Sequence, residues 1–261
     1  MRVFRYLPPR GVDCLESEEL CFTPSQRFND PFEQRPVLSL TINRTSLKFF
    51  ADRVQWVPDL NLLDLLPAER IRRQTDLQES FVEHYLIHPD QLTEKLQADM
   101  LQVLNDRYGL LCFSATKDSL LMWAHYAASH RGFVLEFDSE DRDFEQLGEL
   151  REITYGRTRP ILNPTKDPTI APFLRKSQEW SYEREFRIMR PLRTCKERPI
   201  DGVACFFVRM PRSCIRGVYL GCRMDQGVAS KISGLMASTP AQLHQAELHS
   251  REFRLVFKPL K

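Results

Sequence analysis

The chain has 261 residues, 42% of them hydrophobic, which is enough apolar material for one large core or two smaller ones. Its 37 basic and 35 acidic side chains leave a net charge of +2, which excludes the global basic field of an obligate nucleic-acid binder. Seven cysteines at irregular spacings (14, 21, 112, 195, 205, 214 and 222) fit buried thiols in a reducing cytosol, and the absence of any CxxC pair argues against a zinc site.

In chain order, "RVFRYL" at 2–7 predicts a short strand stopped by Pro8 and Pro9. The stretch "LCFTPSQRFNDPFE" is rich in turn formers. Asn29, Asp30 and Pro31 predict an Asx-type or N-cap turn, because Asn and Asp bond their own backbone and Pro fixes φ. Residues 58–106 show helical spacing: Leu60, Leu63 and Leu66, then Phe81 and Tyr85, then Leu92, Leu96, Met100 and Leu104. Pro58, Pro67 and Pro89 mark its boundaries. The expectation is a single domain, 1–261, with a helical insertion at 36–106.

"YGLLCFSAT" from Tyr108 predicts a buried strand ending near Ser114. "DSLLMWAHYAASHRG" predicts a helix capped by Asp118 or Ser119 and ended by Gly132. The strands "GFVLEFD", "EITYG" and "YEREFRIM" follow, then a loop containing "KERPIDG". The strands "VACFFVRM" and "IRGVYLG", a helix through 223–236 and a strand "FRLVFKPL" complete the chain. Regular βαβ alternation is missing, so the fold class is α+β with a mixed or antiparallel sheet. No run approaches the roughly 18 apolar residues of a membrane span, and "MRVFRYLPPRG" has no long apolar region of a secretory signal. A soluble cytoplasmic protein is expected.

Familiar catalytic signatures are missing: there is no Walker loop, no GxGxxG, no GxSxG and no HExxH. His125 and His130 lie five apart on one predicted helix, a poor metal-ligand spacing. Trp123, Tyr126 and Ala127 read as core packing at i, i+3 and i+4. Arg157, Arg159, Arg184, Arg187, Arg190 and Arg193 form a basic cluster that suits either phosphates or a solvated sheet surface. Asn29, Asp30 and Glu33 suit either a site or a structural turn. Strand alternation places Glu183 and Glu185 on one face, where two like charges do nothing for strand stability.

Three parts occur in a fixed order: Arg5 on the first strand, Phe113-Ser114 ending a buried strand, and Glu183-x-Glu185 on a later strand. Chemistry on NAD that departs through nicotinamide needs such parts. A cation holds the phosphates or ribose, and a small strand-end residue admits the nicotinamide ribose. Carboxylates then face an oxocarbenium-like centre and take a proton from the acceptor. Tyr6, Phe113 or Tyr126 would stack on nicotinamide.

"RYLPP", "FNDPFE" at 28–33, "CFSATKDSLLMWAHYAASHRGFVLEF" at 112–137 and "KSQEWSYEREFRI" at 176–188 together resemble a widespread bacterial family known only as a domain of unknown function. The arginine, aromatic-Ser, Glu-x-Glu order also resembles the R-S-E pattern of mono-ADP-ribosyltransferases. That resemblance implies a split mixed sheet clasping NAD as substrate, with transfer of ADP-ribose to a protein or nucleic-acid acceptor. A toxin or anti-phage effector with a neutralising partner is the setting it implies. Carried across, Arg5 or Tyr6 is the first-motif residue, Ser114 the middle one, Glu185 the catalytic glutamate and Glu183 the acceptor-side one. The Ser-Ala-Thr at 114–116 departs from the usual Ser-x-Ser or Ser-Thr-Ser. Two other functions suit the same residues. One is a binding or regulatory module in which Glu183 and Glu185 pair with Arg187 or Arg157. The other is a nucleic-acid binder using the arginine cluster with Trp180 and Tyr182 as stacking platforms.

Overall fold

A computed structural model of the chain describes residues 1–53, 67–163 and 170–260. The sequence-based helical positions Pro58, Leu60, Leu63 and Leu66 lie outside the described residues. The chain divides into two compact units, 1–34 with 103–159 and 173–261, and 35–102 with 160–172.

The elements in order are β1 (Arg2–Leu7), α1 (Val12–Ser17), β2 (Glu19–Phe22), β3 (Val37–Leu38), α2 (Arg44–Arg53), α3 (Pro67–Ile87), α4 (Pro89–Arg107) and β4 (Tyr108–Ser114). Next come α5 (Leu120–Tyr126), β5 (Phe133–Asp138), α6 (Arg142–Glu145), β6 (Leu150–Glu152), β7 (Thr154–Gly156), β8 (Ile161–Leu162) and β9 (Arg175–Ser177). The rest are β10 (Glu185–Pro191), β11 (Lys196–Ile200), β12 (Val203–Arg209), β13 (Ile215–Leu220), α7 (Gln226–Met236), β14 (Gln242–Leu248) and β15 (Leu255–Pro259). Helices and a split, mixed sheet make a mixed α and β fold.

The first unit is built on an eight-stranded sheet in the order β15-β14-β13-β5-β1-β4-β10-β6, in which β13 and β14 are parallel and the other neighbours antiparallel. Strand alternation sorts its side chains to two faces. Val3, Phe133, Leu135, Phe137, Val218 and Leu220 join one buried cluster with Val12 and Leu15 of α1 and Ile232 and Met236 of α7. Phe4, Tyr6, Val134 and Tyr219 join the other, under Met122 and Trp123 of α5. In the second unit, Leu47, Phe50, Phe81, Val82, Tyr85 and Leu92 pack together between α2, α3 and the start of α4. That unit also holds the parallel pair β3–β8, so it takes in 160–172 as well as most of the helical region read from sequence.

The sheet forks beside β4. Strand β1 pairs with β4 at Phe4↔Ser114 alone, whereas it pairs with β5 along its whole length. Four residues earlier, Leu110 of β4 exchanges backbone hydrogen bonds with Thr23, which follows β2. Strand β2 belongs to a separate three-stranded sheet, β11-β12-β2. One edge of β4 therefore changes partner between Ser114 and Leu110.

Several local expectations need correction. The "KERPIDG" segment is strand β11 and a turn at Asp201 and Gly202, both at positive φ, which makes it half of a hairpin with β12. "EITYG" is divided at Ile153 into β6, which pairs with β10, and β7, which pairs with β9. The turn-rich segment after Leu20 contains the end of β2 and a 3₁₀ turn at Ser25–Arg27. Helix α5 is capped by Ser119, whose Oγ accepts from the Met122 N–H, but it stops at Tyr126. Ala128, Ser129 and His130 then run at positive φ, so Gly132 is not its terminator. A Cβ at Gly132 would lie 2.0 Å from the Leu7 carbonyl; glycine is there for close backbone approach. Helix α7 begins at Gln226 under an Asp225 cap, and β14 carries too polar a sequence to have been read as a strand.

The largest correction concerns "YEREFRIM". Residues Gln178–Glu183 form a 3₁₀ helix whose N-cap Ser177 accepts from the Glu179 N–H. Arg184 follows at φ 45°, and the strand starts only at Glu185. Glu183 and Glu185 therefore do not share a strand face through a period of two.

Candidate functional site

The two glutamates nevertheless meet, because Lys176 of β9 reaches both. Its Nζ stands 2.6 Å from Glu183 Oε2 and 3.2 Å from Glu185 Oε2. Glu185 and Arg187 do alternate onto one face of β10, and Arg187 donates from Nε to Glu185 Oε1 at 2.5 Å and from Nη2 to Oε2 at 2.9 Å. The same guanidinium holds Glu33 through Nη1 and Nη2 at 2.5 and 2.8 Å. All five side chains are buried, Arg187 to 1% exposure. The cluster thus carries three carboxylates against two cations, one negative charge in excess when all are ionised. Burying such charge is costly unless every lone pair finds a partner.

The two glutamates titrate in opposite directions. Burial alone would raise Glu185, but the ion pair and hydrogen bonds from Arg187, and then Lys176, outweigh it and hold the carboxyl down at about 2. For Glu183, burial dominates and the neighbouring Glu185 adds to it. Lys176 and the Tyr126 hydrogen bond only partly offset them, so its carboxyl lies above the usual range. Burial depresses Lys176, but the two glutamates more than reverse this and raise it. Tyr126 Oη donates to Glu183 Oε1 at 2.5 Å and accepts from Asn29 Nδ2 at 3.2 Å. Tyr155 Oη accepts from the Glu185 backbone N–H at 2.8 Å.

A cavity of about 390 Å³ opens in the fork of the sheet, within the size range of small-molecule sites. Of the residues read from sequence, Arg5, Tyr6, Asn29, Phe113, Ser114, Tyr126, Glu183 and Glu185 all border it. Asp30 does not. Its Oδ1 accepts from the Phe32 N–H at 2.9 Å, which is the Asx turn expected of that residue. Arg5 reaches across the fork and donates to the Cys112 carbonyl at 2.8 Å. Its Nε is buried with no partner, burial lowers its proton affinity, and among the described residues it has no carboxylate beside it.

The other side chains differ in detail from the roles read from sequence. Ser114 is fully buried; its Oγ donates to the Glu183 carbonyl at 2.6 Å and accepts from the Thr116 N–H at 3.1 Å. It therefore positions the glutamate's backbone. Tyr6 donates to the Thr116 carbonyl and packs edge-on to Trp123, and the Phe113 ring packs against Phe137 and Phe144. Tyr126 serves through its hydroxyl. Trp123 and Ala127 are core, as read. Arg187 sits in the buried cluster and not on a solvated sheet surface, and among the described residues Arg157 pairs with neither glutamate. Lys176 and the pairing of Glu33 with Arg187 were missed. Lys176 stands in the same segment as the two glutamates, which was the available signal; nothing local links residue 33 to residue 187.

Residues 122–188 match a family model described as "Protein of unknown function (DUF2971)". The match is to a domain of unknown function, as the first resemblance implied, and it spans Tyr126, Lys176, Glu183, Glu185 and Arg187. "RYLPP" and "FNDPFE" lie outside it. No curated protein and no solved structure matches the chain. Among the described residues no helix is long and apolar enough to cross a membrane, no group of three or more His, Cys, Asp and Glu can hold a metal ion, and all seven cysteines are free thiols.

Proposed function

We propose that this chain is an ADP-ribosyltransferase-like enzyme that cleaves NAD at its nicotinamide ribose and passes ADP-ribose to a macromolecular acceptor. The observation that supports this is convergence: Arg5 of β1, Ser114 of β4, Glu185 of β10 and Glu183 just before it border one cavity, although they are far apart in sequence. Arg5 offers a cation without a carboxylate partner among the described residues, and Glu183 and Glu185 outnumber Lys176 by one charge on the same lining. A ligand that carries both a pyrophosphate and a cationic nicotinamide riboside suits such a lining. The split mixed sheet is in keeping with the fold that the resemblance implied.

Two carboxyls whose environments push their proton affinities apart suit two roles. Glu185, held ionised, faces positive charge developing at the ribose C1′. The bond from C1′ to the nicotinamide nitrogen breaks, and its electron pair leaves on that nitrogen, giving neutral nicotinamide. An acceptor N–H or O–H adds to C1′ and gives its proton to Glu183.

A second reading, a binding module whose glutamates serve only the fold, is favoured by one observation: Arg187 and Lys176 already engage both oxygens of Glu185. Titration of NAD into the protein, with release of labelled nicotinamide as a second readout, separates the two. Binding with release that Glu183→Gln abolishes at an unchanged melting temperature supports the transferase. Neither binding nor release at millimolar NAD leaves the binding module.

A further inference from the structure

Resting on the transferase reading, we propose that the acceptor is a base of a single-stranded nucleic acid. A row of rings lies beside the cavity, with Lys176 Nζ 4.9 Å from the centroid of the Trp180 ring. The His125 ring, exposed on α5 and bordering the cavity, lies 6.2 Å from that of Tyr182, which lies 6.1 Å from that of Trp180. Trp180 and Tyr182 are both half-exposed on the 3₁₀ helix that delivers Glu183. His125 also lies 6.3 Å from Tyr126, the donor to Glu183, so the row ends beside the carboxyl assigned to the acceptor's proton.

Two exposed arginines, one beside Glu183 and one on the cavity lining, can meet a phosphodiester backbone. Arg184, next to Glu183, is exposed and has no carboxylate partner among the described residues. Arg27 borders the cavity and is hydrogen-bonded to the Ala204 carbonyl. Lys176 covers one side of the Trp180 ring, and half-exposed rings beside cations without a carboxylate partner among the described residues suit stacking of any base, since every base has a π-face. A net charge of only +2 means that affinity comes from this local patch, with a correspondingly shallow salt dependence. In the transfer, the C1′–nicotinamide bond breaks and a base N–H forms the new bond to C1′. Its proton passes to Glu183 and then to water, so the products are ADP-ribosylated base, nicotinamide and one proton.

The test pairs two assays on the full chain. Fluorescent single-stranded DNA and RNA oligonucleotides are titrated without NAD against wild type, Trp180→Leu and Trp180→Phe, each checked for an unchanged melting temperature. Adenylate-labelled NAD is then offered with the same oligonucleotides or with a protein extract. The expected result is binding that weakens about tenfold in Trp180→Leu and by no more than about threefold in Trp180→Phe, with label on the oligonucleotide. Absence of binding at low salt, equal binding by all three proteins, or label on protein alone overturns the proposal. If oligonucleotides bind through Trp180 but nicotinamide is never released, the transferase reading fails and the nucleic-acid ligand stands. Release without oligonucleotide binding sinks the base acceptor and leaves the transferase reading.

Discussion

The hydroxyl of Ser114 donates to the backbone carbonyl of Glu183 across 2.6 Å, fully buried, and so ties the end of β4 to the residue that precedes β10 by two. Ser114→Ala leaves that carbonyl and the Thr116 N–H without their partner, at about 1–3 kcal/mol. Urea denaturation should show a loss of this size. An unchanged midpoint would mean that the hydroxyl is free to serve a ligand.

The cluster's excess carboxylate predicts unequal responses to neutralisation. Glu185→Gln deprives Arg187 and Lys176 of a shared partner and should cost about 3–5 kcal/mol, as breaking a buried pair does. Glu183→Gln removes the surplus charge, and its effect at neutral pH should stay within about 1 kcal/mol. Chemical denaturation of both variants decides it: equal losses refute the charge count.

Stability against pH follows from the two shifts. Glu185 is held below its ordinary value, at about 2, so its contribution is present above about pH 4.5 and is lost as pH falls towards 2, on the order of 3 kcal/mol. Glu183 is shifted upward, so its contribution is full below the ordinary carboxyl range and declines as pH rises through its folded value. Wild type should therefore lose stability on acidification, and the loss should be much reduced in Glu185→Gln. A Glu185→Gln curve that keeps the full acid slope would contradict the assignment.

Tyr126 lowers the Glu183 proton affinity through its hydrogen bond. Tyr126→Phe removes that donor, so the Glu183 carboxyl should titrate higher still. If Glu183 takes the acceptor's proton, the rising limb of transfer against pH should move to higher pH in Tyr126→Phe. A limb that stays in place, with only the plateau lowered, would assign the proton elsewhere.

What the sequence disclosed depended on how local the cause was. Strands β1, β4 and β5 were legible because short, mostly apolar runs bounded by Pro8, Ser114 and Gly132 specify buried strands with little help from elsewhere. β14 reads "QLHQAEL", and its pairing with β13 and β15 decides its state. The meeting of Glu183 and Glu185 was anticipated on the wrong grounds. A strand period was assumed, whereas a 3₁₀ turn, a left-handed Arg184 and a lysine from another strand achieve it. A non-glycine residue at positive φ carries no clear sequence signature, and the Arg187–Glu33 pair spans 154 positions.

The single Phe4↔Ser114 rung is the seam between two blocks of the large sheet, five strands on one side and three on the other. Backbone cohesion is thinnest there, so amide protons flanking the seam should exchange with solvent earlier than those inside either block. A molecule seated in the cavity touches Arg5 on one block and Glu185 on the other, and so supplies the rungs that the backbone lacks. Slower exchange along this seam would report occupancy of the cavity without any assay of its chemistry.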